Sequence, residues 1–324
     1  MKALVATGSN RKLRPLSHTT PAELAPVANR QVLRYGLDTI RAAGITEVCL
    51  VVGEHRRDVQ RAIGNGSDSG LQISYLRQDA PLGLGHCVLI GREFLGDDDF
   101  VLYRGGLVIP GGIADLVADF RATRADALSL VDGSGTEVGV HVFGPAVHQA
   151  VLATPPRWDN TRDITAAVRW LAEHGHVVGR HLVTDPWHDT GEVDGLLACN
   201  RTILQAVEPA VRGAVDSRSE LSGAVIVEDG AQVRRSRITG PAIIGSFAVV
   251  EDSLIGPYTS IGHDCVISGA EVESSILLAG AALHGVRRVR DSVIGRAASV
   301  HPASAGSGAH RLILGDHSQI LVGP

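Results

Sequence analysis

The chain has 324 residues, 20% of them charged, and a formal net charge of -5 in which 30 Lys and Arg stand against 35 Asp and Glu. That balance of signs argues against a nucleic-acid or membrane-surface partner, and no apolar run approaches the about 20 residues of a membrane span. The length suits one large domain or two of ordinary size; no secretion-signal pattern precedes Met1-Lys2-Ala3, and a cytoplasmic location is expected. The four cysteines (Cys49, Cys87, Cys199 and Cys265) sit singly in apolar stretches without CxxC spacing, which reads as small core hydrophobes rather than disulfides or a zinc site.

In chain order, apolar runs predict strands at 3–6, 47–53, 71–75, 100–103 and 127–131, with helix-like patterns between them at about 28–43, 55–63, 84–95 and 111–123. A strand at 138–143, helices at 145–153, 163–174 and 192–208, and strand character near 176–183 follow. Alternation at this spacing argues for a doubly wound parallel sheet with helices on both faces, and such sheets bind ligands beyond the carboxyl ends of their strands. After about residue 212 the texture changes. Apolar residues recur every six positions, as Val227 and Val233, Ile244 and Val250, Ile255 with Ile261 and Ile267, Ile294 and Val300, and Leu314 and Ile320. A six-residue period fits neither a helix nor an antiparallel sheet; it fits a parallel β-helix, with interruptions near 281–292 and 303–311 expected as loops. The predicted division is an α/β domain over 1–211 and a β-helix over 212–324. Histidines in hexapeptide coils also serve acyltransferases as bases, a role open to His263, His284 and His301.

The first strand empties into Thr7-Gly8-Ser9-Asn10-Arg11-Lys12-Leu13-Arg14-Pro15-Leu16, followed by Thr20-Pro21-Ala22-Glu23-Leu24-Ala25-Pro26-Val27-Ala28-Asn29-Arg30. A strand, a small-residue loop and a helix entry are the usual geometry for cradling phosphates. The segment resembles the signature of the sugar-1-phosphate nucleotidylyltransferases of the long-chain glucose-1-phosphate thymidylyltransferase type. That signature reads Leu-Ala-Gly-Gly-x-Gly-Thr-Arg-Leu-Arg-Pro-Leu, then Pro-Lys-x-Leu-x-Pro-Val-x-Asn-Lys-Pro. The closing Leu312-Ile313-Leu314-Gly315-Asp316-His317-Ser318 is similar to the carboxy-terminal coils of the same type. The resemblance implies a nucleotidyltransferase-like, doubly wound mixed sheet followed by a left-handed parallel β-helix, an oligomer, and Mg²⁺-dependent transfer of a nucleotide to a sugar 1-phosphate.

Carried over position by position, the resemblance implies a nucleotide loop at Gly8, Ser9 and Asn10. Lys12 stands where the family has its catalytic Arg, and Ala22 where it has a phosphate-binding Lys. Gln78 and Gly83 in Gln78-Asp79-Ala80-Pro81-Leu82-Gly83-Leu84-Gly85-His86 match the element that contacts the base, although the same residues suit a tight strand-to-helix turn. Of the two metal-binding Asp, one is Asp189 in Trp187-His188-Asp189-Thr190-Gly191; the other is replaced by Gly106 in Tyr103-Arg104-Gly105-Gly106-Leu107. Thr161 takes the place of a sugar-contacting Glu, and between Val131 and Val138 a Lys-bearing excursion of about thirty residues is missing. These losses fall on chemistry while turn and core signals persist. The expectation is a degenerate homologue, a pseudoenzyme for the Mg²⁺-dependent reaction, in which Arg11 and Arg104 meet phosphate and Mg²⁺ keeps one of its two ligands. It would act as a nucleotide- or sugar-phosphate-binding, regulatory or partner subunit, as a homo-oligomer or beside an active paralogue. The alternative is a divergent enzyme joining a nucleoside triphosphate to an unusual sugar-1-phosphate-like substrate in secondary metabolism.

Overall fold

A computed structural model describes residues 1–8, 13–18, 21–302 and 312–322, and the chain packs as two units, Met1–Ser9 with Val32–His188 and Asn10–Gln31 with Asp189–Pro324. The first is built on strands β1 (Lys2–Ala6), β2 (Glu47–Val52), β3 (Gln72–Arg77), β4 (Phe100–Arg104), β5 (Ala127–Val131), β6 (Glu137–Phe143) and β7 (Val178–Leu182), ordered β7-β5-β6-β4-β1-β2-β3. Every neighbouring pair is parallel except those of β6, which runs antiparallel to β4 and β5 because a short connection joins it to β5. The sheet is therefore mixed, as the family likeness implies.

Strands covered on both faces read as continuous apolar runs, and here Ala3, Leu4 and Val5 are all buried although they point alternately to opposite faces. The face of Leu4, Cys49, Phe100, Leu102 and Phe143 is covered by helices α3 (Leu84–Ile90), α5 (Val147–Ala153) and α6 (Ile164–Glu173). Tyr103 points to the other face, where Gly36 of α1 (Val32–Ala42) lies so close that a Cβ would stand 2.9 Å from the ring. Helices α2 (Arg56–Ile63) and α4 (Ala114–Thr123) complete the crossovers. The expected helix 84–95 is interrupted at Gly91: a Cβ there would sit 3.0 Å from the Cys87 carbonyl and 3.1 Å from Leu4, so close packing on β1 fixes the break before Arg92–Leu95. All four cysteines are buried thiols without a disulfide, and burial pushes those of Cys87, Cys199 and Cys265 up to about 12.

The second unit carries helix α7 (Val193–Gln205) and, among the described residues, three parallel sheets that form a left-handed β-helix beginning at Ala210–Val211. Residues 17 apart pair in all three sheets, as Val225 with Ala242, Gln232 with Val249 and Arg237 with Leu254. The six-residue period is thus shortened to five at one corner, between Val233 and Ile238 and again between Val250 and Ile255. The inward residues Val227, Val233, Ile238, Ile244, Val250, Ile255, Ile261 and Ile267 are buried in one continuous core. Serines 17 apart line the shortened corner: the Ser219 hydroxyl accepts from the Ser236 N–H, Ser236 from Ser253, and Ser253 from Ala270, each at 3.1 Å. The interruption expected at 281–292 is not a loop. Ala282–His284 and Val289–Arg290 continue the ladders, with Leu283, Val286 and Val289 buried. The interruption expected at 303–311 lies outside the described residues.

The expected helix 28–43 also begins late, at Val32. Pro26–Val27 pairs with Arg30–Gln31 across Ala28 and Asn29, both at positive φ, which is a two-residue hairpin turn. Distant groups in the same unit hold it: the Ala28 N–H donates to Asn200 Oδ1, Ser260 Oγ shares that oxygen, and Asn29 Nδ2 donates to the Ile261 carbonyl. Among the described residues no helix is long and apolar enough to cross a membrane.

Candidate functional site

The carboxyl ends of β1 to β4 lie side by side. Paired residues Ala6 and Arg104, Leu4 and Leu102, and Val51 and Leu76 put Arg104 on the sheet face that carries α3 and α6. Leaving β1, Thr7 donates to the Val51 carbonyl through both its N–H and its hydroxyl, and the Gly105 N–H donates to the Ala6 carbonyl. Gly8 follows, exposed, and among the described residues nothing lies within 4 Å of where its Cβ would stand. Ser9, Asn10, Arg11 and Lys12, the rest of the predicted loop, lie outside the described residues.

Gln78 is buried two residues beyond Leu76. Its N–H donates to the Val52 carbonyl and its Nε2 lies 2.9 Å from His86 Nδ1, so its amide is anchored inside the turn. Burial first, and then the Arg162 charge, hold the His86 imidazole below its usual pKa. Gly83, at φ +87°, is required by contact: a Cβ would stand 2.6 Å from the Arg162 carbonyl. Arg162 grips this turn from outside, its N–H donating to the Leu82 carbonyl and its carbonyl accepting from the Gly85 N–H. Its guanidinium donates to the carbonyls of Val151 and Thr154. Sequence reasoning did not single out Arg162; the signal available was its place directly after Thr161, inside the stretch the resemblance assigns to the sugar.

Thr161, at the position of the sugar-contacting Glu, is taken up in a turn: its N–H and hydroxyl both donate to Asp159 Oδ1, and its carbonyl accepts from Arg157. Ala22 is buried in the second unit. Where the resemblance places an excursion, Val131 and Glu137 are joined by a closed turn. Asp132 Oδ1 accepts from the Ser134 N–H, the Ser134 hydroxyl and the Thr136 N–H, while the Asp132 N–H donates to the Thr136 carbonyl and Gly135 takes φ +82°. Behind it the Thr165 hydroxyl donates to Glu137 Oε2. Deeper in the sheet, Ser129 Oγ lies 2.9 Å from His141 Nδ1. Both are buried, and burial pushes the His141 pKa down to about 4 against the opposing pull of Glu137 and Asp163.

At the end of β4, Tyr103 is buried with its hydroxyl donating to the Leu107 carbonyl, and Gly106 presents no side chain. Arg104 is half-buried and lies over Gly139 of β6, where a Cβ would meet its Cδ at 2.7 Å; Gly139 takes φ +97°. The glycine therefore makes the bed for the arginine stem. Asp189 belongs to the second unit. Its Oδ1 accepts from the Gly191 N–H at 3.0 Å, and its carbonyl lies against Gly195 of α7, where a Cβ would be 2.0 Å away, so it acts as a turn residue before that helix. Burial lowers the pKa of the neighbouring His188. A Mg²⁺ ion asks for carboxylate oxygens. Its sites commonly take one or two carboxylates together with substrate phosphates, and the glycine at position 106 offers none. In the coils, His263 lies beside Asp264, and the rings of His284 and His301 stack on each other at 5.0 Å.

The profile of the nucleotidyl transferase family matches residues 2–137. A glucose-1-phosphate thymidylyltransferase of Streptomyces griseus is 45% identical over 353 residues, covering 99% of both chains. The nucleotidyltransferase Agl11 of low-salt glycan biosynthesis in Haloferax volcanii is 33% identical over 351 residues, covering 98% of both. The first alignment runs over 353 positions and this chain has 324 residues; the difference leaves at least 29 positions that this chain lacks. Among solved structures, a UDP-glucose pyrophosphorylase complexed with UDP-glucose aligns at TM-score 0.56 and 16% identity, over 63% of this chain and 98% of that one, a likeness of fold.

Proposed function

The chain belongs to the sugar-1-phosphate nucleotidylyltransferase family, and from that premise we propose a glucose-1-phosphate thymidylyltransferase-like protein that holds a nucleotide or sugar phosphate without performing the Mg²⁺-dependent transfer. It serves as a regulatory or partner subunit in the cytoplasm. The observation that carries this reading is the closed turn between β5 and β6: Asp132 satisfies three donors in five residues, where the family resemblance calls for a wall of the cleft and a Lys on the sugar phosphate. A turn so fully hydrogen-bonded is a settled end of the sheet. It leaves the reaction without the cation that would position one substrate.

Nucleotidyl transfer depends mainly on positioning and on neutralising charge at the reacting phosphate, which bound Mg²⁺ supplies in this family. Gly106 removes one carboxylate from that task, and two residues earlier Arg104 brings a fixed positive charge, its stem seated on Gly139. In this reading the Arg104 guanidinium takes over phosphate binding through its fork of donors, while Gln78 and Gly83 keep their places at the base. The second reading, a divergent active enzyme, is favoured by the end-to-end alignment with an enzyme of the family.

Calorimetric titration with dTTP, UTP, ATP, GTP, dTDP-glucose and glucose 1-phosphate, each with and without Mg²⁺, separates the two. Saturable binding indifferent to Mg²⁺, lost by about tenfold or more in Arg104→Ala, is the expected result. Binding that requires Mg²⁺ and is accompanied by pyrophosphate release would establish the active enzyme instead.

A further inference from the structure

One sheet of the β-helix carries an ordered strip of outward charges. It comprises the strands Glu220–Ser222, Arg237–Thr239, Leu254–Ile255, Glu271–Glu273 and Val289–Arg290, stacked in parallel. The register sets Glu220 beside Arg237, Arg237 beside Leu254, and Leu254 beside Glu271. Ile238, Ile255, Val272 and Val289 point into the core, so their neighbours point out. One outward column therefore reads Glu220, Arg237, Leu254, Glu271 and, just before Val289, Arg288. The other reads Ser222, Thr239, Gly256, Glu273, Arg290. Leu254, at the midpoint, is 50% exposed, and a shallow groove of about 290 Å³ runs along the lower strands.

The first column has the charge order minus, plus, apolar, minus, plus. Turned end for end onto itself, it meets its own complement: Glu220 opposite Arg288, Arg237 opposite Glu271, Leu254 opposite Leu254. The second column brings Ser222 to Arg290, Thr239 to Glu273, and Gly256 to Gly256, over which the Glu273 stem lies, its Cβ 2.6 Å from where a Gly256 Cβ would stand. Laying the two coils parallel instead would set Glu271 against Glu273 and Arg288 against Arg290, like charge on like. In the next sheet one outward column, Gln232, Val249, Val266, Ala282, Ser299, is uncharged, and the other, Arg234, Glu251, Ser268, His284, His301, carries its Arg and Glu at one end only, so neither repeats this alternating order.

We propose that this strip docks a second copy of the chain, coil axes antiparallel, about a two-fold axis that runs along the Leu254–Ile255 strand. Such an isologous contact closes on itself, so it ends at a dimer. Within one chain Arg237 lies 2.9 Å from Glu220 and Arg290 lies 2.8 Å from Glu273. These pairs hold the charged heads along the strip, and in the dimer they share them with the partner. Five strands at about 4.8 Å span roughly 20 Å, a small contact, so charge rather than area selects the partner and salt weakens it.

Sedimentation velocity of the full chain over a range of micromolar concentrations tests the contact. At low salt the mass is expected to reach twice the 34.0 kDa of one chain and to fall back as sodium chloride is raised. Arg237→Glu, which sets like charges opposite each other twice across the axis, should weaken the dimer by about tenfold or more. The double variant Arg237→Glu/Glu271→Arg restores opposite charges between copies while leaving each mismatched with its neighbours in its own chain, and should return to within about threefold of the parent. A chain that stays monomeric at low salt, a double variant as weak as the single one, or a dimer untouched by Leu254→Asp would each overturn the proposal.

Discussion

In the α/β unit, the proposed function rests on single side chains at strand ends; in the coils, the proposed contact rests on the order of charges along a column. Arg104, Gly106 and Gln78 close their strands with little to do for the core. The β4 core is carried by Phe100, Leu102 and Tyr103, which are fully buried. Chemistry there can be exchanged one residue at a time without disturbing the sheet. In the coils, Arg237 or Glu271 means something only through the strand above and the strand below. The difference teaches where each half tolerates change: the first at its ends, the second anywhere that keeps phase.

The largest effect expected from breaking this contrast is in the coil core. Ile261→Ala empties a fully buried position whose neighbours, fixed by ladders on both sides, cannot collapse into it; about 2–5 kcal/mol of stability should be lost in denaturant unfolding. A loss below 1 kcal/mol would mean that the coils relax more easily than their register suggests. Next comes acid. His141 is neutral in the fold with its pKa pushed down to about 4, against 6.5 when exposed. Above pH 6.5 both states are neutral and nothing is lost. Between 6.5 and 4 the unfolded chain takes up a proton that the fold refuses, so stability falls by about 3 kcal/mol across that window. Urea titrations at steps of pH should show this slope, and His141→Gln should flatten it.

Asn200→Ala removes the acceptor of the Ala28 N–H and of the Ser260 hydroxyl, together with a donor to the Tyr258 carbonyl. A cost of about 1–3 kcal/mol is expected, with faster hydrogen exchange at Ala28. Smaller but functional is Gly139→Ala. The Cβ meets Arg104 and the backbone is left-handed, so stability should drop by about 1–2 kcal/mol and phosphate affinity should fall with it. Its counterpart Gly133→Ala, with open space around the new methyl, should stay within about 0.5 kcal/mol and bind as the parent does.

Much of this was legible in the chain. Strands with continuous apolar runs fall within a residue or two of where their pattern puts them, because both faces of the sheet are covered and the run itself is the signal. The hexapeptide texture announced the β-helix for the same reason. What escaped depends on contacts between distant residues. The hairpin at Ala28 and Asn29 is held by Asn200 and Ile261, so a local pattern read it as helix. The bed that Gly139 makes for Arg104 follows from an antiparallel pairing no window of sequence contains. At the site, the residues Lys12, Ala22, Gly106 and Thr161 at family positions could be read one by one, but the turn that Asp132 closes is set by hydrogen bonds among Asp132, Ser134 and Thr136 that no motif announced.

Between Val225 and Ile261 the coils close every 17 residues, whereas Ile261 pairs with Leu277 after 16 and Val300 with Ile320 after 20. Within the regular stretch, removing 17 residues in a row would delete one full turn and leave everything after it in step. Removing a single residue would ask one corner to close short, as the turn from Ile261 to Leu277 does. For this half of the molecule a lesion the size of a whole turn can be gentler than a smaller one.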